Sequence, residues 1–313
     1  MDQIVIDKHF KLLKRVDYSI GFTLRYESGG LALESATFAI IGGDMRNVYI
    51  KEILKADGHF VRSFAVSDSE MSQCKSIESA IENCKYIIGP TPFSVDGTFL
   101  NTPLIEKKLY VDDFLCALQP KQKLFAGSVS KACREMFDQF QIDAIDFLSK
   151  KELAVLNAIP TAEGALKIAI ENSPVTIHGS KALVVGHGNI GKILAKYLNA
   201  LGAKTYVAAK RPESLAEAFG NGARSVKIEE IGSICGKMDY IFNTVPSNII
   251  EPSDARKIGG LYIELASSPY GTDINAATKS GVNIINAPSL PGKLSPKTTA
   301  KYIVQTIYNI IQM

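Results

Sequence analysis

The sequence predicts an α/β protein: two Rossmann-like, doubly wound parallel-sheet domains with an inter-domain cleft. Three observations carry this. From Thr37 onward, short apolar runs alternate with helical patterns, as βαβ units with right-handed crossovers require. A glycine-rich turn, residues 186–191, stands between an apolar run and an amphipathic helix. The 313 residues suffice for two hydrophobic cores.

Residues 1–36 differ from the rest of the chain and read as an N-terminal extension, with a basic stretch at Lys11 to Arg15 and the flexible pair Gly29-Gly30. The first domain is expected over 37–150. Phe38 to Ile41 is its first strand, and Gly42 to Arg46 leads into a helix reaching Ala56. His59 to Ala65 forms a second strand, a short helix covers Ser76 to Asn83, and Tyr86 to Ile88 is a third strand. The loop Gly89-Pro90-Thr91-Pro92-Phe93 stands at that strand's carboxyl end. Leu124 to Gly127 is a further strand, with Ser128 just beyond it and a helix over Ser130 to Gln139.

The second domain is expected over 151–290. A bridging helix opens it; Pro160 suits a first helical turn, and Ala165, Leu166, Ile168, Ala169 and Ile170 carry the apolar spacing to about Asn172. Strands follow at Lys181 to Val185, Lys204 to Ala209, Asp239 to Thr244, Leu261 to Leu265 and Val282 to Ile285, with a helix near Asp273 to Lys279. Residues 291–313 contain a terminal helix, apolar at Ala300, Ile303, Val304, Ile307, Ile310 and Ile311, expected to return to the first domain.

The glycine turn points to a dinucleotide. Gly186 permits the turn, Gly188 lets the backbone approach a pyrophosphate, and Gly191 lets the helix lie close to the strand. Amides at the helix start, at Asn189 and Ile190, face the phosphates. The next strand ends in Lys210-Arg211, where an NAD site would carry a carboxylate for the ribose 2′-hydroxyl. A guanidinium grips a 2′-phosphate with paired hydrogen bonds, so the expected cofactor is NADP. Around nicotinamide, the strand ends Thr244-Val245-Pro246 and Ala266-Ser267 are expected to contact ring and ribose.

Composition narrows the class. With 46% hydrophobic and 21% charged residues the chain reads as a globular protein. A net charge of +3 argues against a nucleic-acid surface. No apolar run is expected to approach membrane-spanning length, and Met1-Asp2-Gln3 opens no secretion signal, so a cytoplasmic protein is expected. Five scattered cysteines suggest reduced thiols and no metal.

Several unusual motifs in order, Ile40 to Arg46, Ile159 to Gly164, Thr176 to Ser180, Asn243 to Ser247, Leu265 to Asp273 and Ala287 to Gly292 with Ser295 to Thr298, resemble the family of dipicolinate synthase A subunits. The likeness covers roughly Thr37 to the C-terminus. Tyr270 departs from it, standing where a glycine is expected, and His187 and Asn189 occupy turn positions that vary among members. The resemblance implies oxidation of dihydrodipicolinate, derived from 4-hydroxytetrahydrodipicolinate, to dipicolinate during sporulation. It also implies work alongside a flavoprotein-like B subunit in the mother-cell cytoplasm, and a homo-oligomer is expected.

A substrate with two carboxylates needs cations and hydroxyl donors. Arg46 is the first candidate; Thr91, Ser94 and Ser128 lie beyond strand ends, and Lys297 starts the returning helix. For proton transfer Glu163 is favoured, placed near the start of the bridging helix, with Asp44 and Asp273 next. Asp44 is alternatively a brace for Arg46. No histidine–acid pair of the hydroxyacid dehydrogenase kind is apparent, and His178 and His187 read as structural. Two alternatives stay open: an NADP-dependent 2-hydroxyacid or amino-acid dehydrogenase on the same scaffold, and a non-catalytic NADP-binding partner subunit.

Overall fold

The computed structural model describes residues 35–66 and 74–312. The expected extension lies, up to Glu34, outside the described residues.

The first sheet is built from β1 (Thr37–Ile41), α1 (Met45–Ala56), β2 (Phe60–Phe64), α2 (Ile77–Ile81), β3 (Tyr86–Ile88), α3 (Val111–Ala117), β4 (Lys123–Ala126), α4 (Lys131–Gln139) and β5 (Asp143–Asp146). Its strands are parallel in the order β2-β1-β3-β4-β5. Side chains of β1 alternate between two cores, as strand geometry dictates. Phe38 and Ile40 join Ile50 and Leu54 of α1, while Ala39 and Ile41 join Ile81, Phe114 and Phe137 on the opposite face. Burial on both faces explains the continuous apolar runs.

α5 (Lys151–Glu171) links the two sheets. It starts well before the expected position, and Pro160 lies inside it rather than in its first turn. Proline removes one backbone donor there, and the Thr161 hydroxyl donates to the Asn157 carbonyl at 2.7 Å in the same turn. Packing on both sides of the proline holds the helix: Leu153 belongs to the first-sheet core, and Ala162, Ala165 and Ala169 to the second. At 21 residues and a mean hydropathy of 1.4, α5 is long and apolar enough to cross a membrane by length and composition, which corrects the expectation of no such run. Half of that window is buried inside the protein, so its apolar side chains serve the two cores.

The second sheet follows with β6 (Lys181–Val185), α6 (Asn189–Ala200), β7 (Lys204–Ala209), α7 (Pro212–Gly220), β8 (Arg224–Lys227), α8 (Ile231–Ile234), β9 (Tyr240–Asn243), α9 (Pro252–Ala255), β10 (Leu261–Glu264), α10 (Ile274–Lys279) and β11 (Ile284–Asn286). Its parallel order is β11-β10-β9-β6-β7-β8, the arrangement of dinucleotide-binding sheets. Ala182 and Val184 of β6 face α5 and α6, and Leu183 and Val185 face the opposite core with Ile231, Ile250 and Ile258.

α11 (Leu290–Leu294) and α12 (Pro296–Ile311) end the chain. α12 lays Ala300, Ile303, Val304 and Ile307 into the first-sheet core beside α1. Tyr308 fastens it: its hydroxyl donates to Asp57 at 2.7 Å and lies 3.0 Å from His59 Nε2. The Ala36 N–H points at His59 Nδ1 at 3.3 Å, which assigns the ring proton to Nε2.

Candidate active site

In open parallel sheets ligands bind beyond the carboxyl ends of the strands, where strand order reverses. Each sheet has one such point: between β1 and β3 in the first, and between β6 and β9 in the second.

At the second switch point Gly186 has φ +98°, and a Cβ there would come 2.6 Å from Val245 Cγ2. The turn and the β9 loop are therefore in mutual contact. Thr244 reinforces this, its N–H and hydroxyl both donating to the Val185 carbonyl at 2.9 and 2.8 Å. α6 begins at Asn189 with Gly188 as its cap and no side-chain cap, and nothing lies within 4 Å of a Cβ built on Gly188. An uncapped helix start with open space beside Gly188 is what a pyrophosphate requires, so these residues fit a dinucleotide. Asn189 is exposed and Ile190 half-buried; Lys210 and Arg211 are exposed beyond β7, with Arg211 capping α7.

Sequence reasoning missed the support beneath this site. Glu264, the last residue of β10, is fully buried. Its carboxylate accepts from Asn243 Nδ2 (2.7 Å), Ala266 N–H (3.0 Å), Gly271 N–H (2.9 Å) and the Tyr262 hydroxyl (3.1 Å). Burial and the Glu264 charge push the Tyr262 phenol far above its usual range, keeping it a donor. The same Asn243 amide donates to the Val245 carbonyl at 2.9 Å, and its Oδ1 accepts from the Val245 N–H at 3.2 Å. One carboxylate thus ties the β9 and β10 ends together, where Thr244, Val245, Pro246, Ala266 and Ser267 lie. The available signal was a lone glutamate in the otherwise apolar Leu261-Tyr-Ile-Glu-Leu265.

At the first switch point Asp44 caps α1 by accepting from the Arg46 N–H at 2.9 Å. The same carboxylate grips Arg46 Nε at 2.9 Å and Nη2 at 2.8 Å. Nη2 also donates to the Thr91 carbonyl, and Asn47 Nδ2 to the Gly89 carbonyl at 3.1 Å, so the loops after β1 and β3 are bound to each other. Asp44 is therefore a brace for Arg46. The Nη1 group has no hydrogen-bond partner among the described residues, leaving one donor edge for a ligand.

The other candidates are not all gathered here. Thr91 is buried beside Gly127, and Ser128 is exposed with φ +54°. Ser94 spends its hydroxyl within its own turn, donating to the Phe99 carbonyl at 2.6 Å and accepting from the Gly97 N–H at 2.9 Å. Lys297 sits over the Tyr49 ring at 5.9 Å from its centroid, one turn along α1 from Arg46. Glu163 lies in the fourth turn of α5, not near its start, and is exposed. Its charge reaches Tyr197 and Tyr302, which helps raise both phenols behind the larger effect of burial. Asp273 caps α10 by accepting from the Ala276 N–H at 2.9 Å. Among the described residues no cluster of metal-ligating side chains occurs. A cavity of about 500 Å³ opens near the β9–β11 ends, lined in part by Asn248, Tyr270, Asn275 and Asn286.

Residues 37–148 match the N-terminal domain of the dipicolinate synthase A subunit, and residues 162–250 match the NAD-binding domain of D-isomer specific 2-hydroxyacid dehydrogenases. The chain is 27% identical to the dipicolinate synthase A subunit of Bacillus subtilis over 288 residues, covering 89% of this chain and 97% of that protein. The resemblance to dipicolinate synthase A subunits runs through both sheets. The crystal structure of the Bacillus subtilis A subunit superposes with a TM-score of 0.80 at 26% identity, covering 90% of this chain and 97% of that one. The A-subunit structure from Bacillus halodurans gives a TM-score of 0.82 at 22% identity, over 89% and 99% of the two chains, and so shares the fold. Together these support a dehydrogenase-like oxidoreductase with a nicotinamide-binding domain.

Proposed function

We propose that this chain is the oxidoreductase component of a dipicolinate synthase, removing a hydride and a proton from dihydrodipicolinate with NADP⁺ as acceptor. The carrying observation is the likeness to the dipicolinate synthase A subunit along 89% of the chain. The polarity at the end of β7, where Lys210 and Arg211 replace a carboxylate, supports NADP over NAD.

NADP⁺, when bound, supplies the hydride acceptor at nicotinamide C4. The protein's part is placement. The amides at the start of α6 hold the pyrophosphate, and Arg211 with Lys210 takes the 2′-phosphate. The β9 and β10 ends, fixed by Glu264, orient the nicotinamide ribose. Arg46, its Nε edge held by Asp44, offers Nη1 to a substrate carboxylate, and Lys297 supplies a second cation. Thr91 and Ser128 are the hydroxyl donors. Ser94 is the weakest of the set, its hydroxyl being engaged locally. With Asp44 engaged by Arg46 and the α1 cap, Glu163 is the proposed proton acceptor, and aromatisation of the ring supplies driving force. The partner is a flavoprotein-like B subunit, and the setting is the cytoplasm of a sporulating cell.

The test is absorbance at 340 nm with dihydrodipicolinate and NADP⁺, with and without the B subunit. Reduction by this chain alone is expected. No reduction in either mixture overturns the assignment and favours a non-catalytic nucleotide-binding role; turnover only of 2-hydroxyacids favours the hydroxyacid dehydrogenase reading.

A further inference from the structure

The corner between the glycine turn and the end of β7 holds more charge than a dinucleotide turn needs. Glu217 of α7 reaches back into it, with Oε2 2.8 Å from Lys192 Nζ of α6 and 3.8 Å from Nε2 of His187 inside the turn. The His187 residue is only 6% exposed, and neither ring nitrogen has a hydrogen-bond partner. Buried polar atoms are normally satisfied, so an orphaned imidazole at a nucleotide turn asks for a missing partner. Arg211 belongs to the same corner. The Lys192 hydrogen bond, then the charges of Lys192, His187 and Arg211, hold the Glu217 carboxyl below its usual range. Arg211 itself has only a loose pair, Nε to Glu213 Oε1 at 3.5 Å, with both side chains 69% exposed. An exposed ion pair adds little stability, so the cluster is poorly explained as a structural brace.

We propose that Glu217 is a built-in stand-in for the cofactor's 2′-phosphate, and that Lys192 is a second cation for that phosphate beside Arg211. In the nucleotide-free protein Glu217 neutralises Lys192. A 2′-phosphorylated adenosine displaces the carboxylate and takes over Lys192, with His187 beneath. A 2′-hydroxyl has no charge with which to compete. Glu217 therefore sets how strongly the site favours NADP and how readily it lets NADPH go. This rests on the NADP reading of Arg211.

The experiment is calorimetric titration of the full chain with 2′,5′-ADP and with 5′-AMP, for the wild type, Glu217→Gln and Lys192→Met. Both side chains are nearly half exposed, so the fold tolerates the changes. Wild type is expected to prefer 2′,5′-ADP. Glu217→Gln should tighten 2′,5′-ADP about fivefold and Lys192→Met weaken it about fivefold, the scale of one exposed charge pair, with 5′-AMP unchanged in both. A wild type that binds both nucleotides equally overturns the NADP reading and this proposal with it. A discriminating wild type whose preference is unmoved by either substitution overturns the stand-in alone, as does an equal change for 5′-AMP.

Discussion

Gly292 lies directly against Arg46: a Cβ built on Gly292 would stand 2.8 Å from the Arg46 Cζ and 2.9 Å from its Nε. The chain following the second sheet thereby reaches the switch point of the first. Leu290 and Leu294 of the same short helix pack on Gly164 of α5, where an added Cβ would come within 3.2 and 2.9 Å of them. α11 is thus wedged between the bridging helix and the arginine proposed to hold substrate.

Gly292→Ala should consequently push the guanidinium off Asp44. The expected result is a substrate KM raised about tenfold, the scale of one charge-assisted hydrogen bond, with NADP affinity unchanged. Arg46→Ala should raise KM at least as far. An unaltered KM in both variants would remove Arg46 from the substrate site.

Glu264→Ala leaves three buried donors (the Tyr262 hydroxyl and the Ala266 and Gly271 N–H groups) without a partner, and leaves Asn243 Nδ2 only the Val245 carbonyl. At about 1–3 kcal/mol for each orphaned buried group that water fails to reach, a loss on the order of 3 kcal/mol or more is expected. The urea midpoint measures it. A loss below about 1 kcal/mol would mean that the β9 and β10 ends do not depend on this carboxylate.

Acid should loosen the α12 latch. Burial lowers the His59 pKa, outweighing the nearby Asp57 charge, and burial lowers that of His187 in the same way. A depressed histidine pKa means that the unfolded chain takes up the proton first. The stability is therefore complete above about pH 6.5, the ordinary histidine value, and is lost as pH falls toward the lower folded values. Thermal melts from pH 8 to 5 should show Tm dropping below 6.5, with His59→Gln flattening part of the drop. A Tm that rises on acidification in this window contradicts the lowered histidine pKa values.

Arg211→Ala should weaken NADP about tenfold more than NAD, because only NADP offers the phosphate that a guanidinium grips. Equal losses for both cofactors would withdraw the 2′-phosphate assignment.

Glu163→Gln should lower kcat while leaving the melting temperature within a degree or so, since an exposed side chain contributes little to stability. Undiminished turnover would release Glu163 from the proton step and turn attention to water near Arg46.

Much of this molecule is legible in its sequence, and the failures share a physical cause. β1, β3, β4, β6, β9 and β10 are buried on both faces and announce themselves as apolar runs. β5 and β8 go unread because charged residues interrupt their apolar pattern, Asp143 and Asp146 in one and Arg224 and Lys227 in the other. The start of α5 is misplaced because Pro160 usually marks a first turn, and only packing against two cores keeps it helical. The glycine turn is legible because Gly186 and Gly191 answer local steric demands, while Gly188 leaves the helix start open. The brace of Asp44 on Arg46 is short-range and equally readable. By contrast, the contacts of Arg46 with Thr91 and Gly292 cross tens to hundreds of residues, as does the meeting of Glu264 with Asn243. No local pattern encodes such pairs.

The most direct test is a crystal structure with NADP⁺ and dipicolinate bound together. The pyrophosphate is expected on the amides of 189–191, the 2′-phosphate beside Arg211, and a dipicolinate carboxylate on Arg46 facing the nicotinamide. A nucleotide bound away from the 186–191 turn, or a dipicolinate remote from Arg46, would contradict the proposed chemistry.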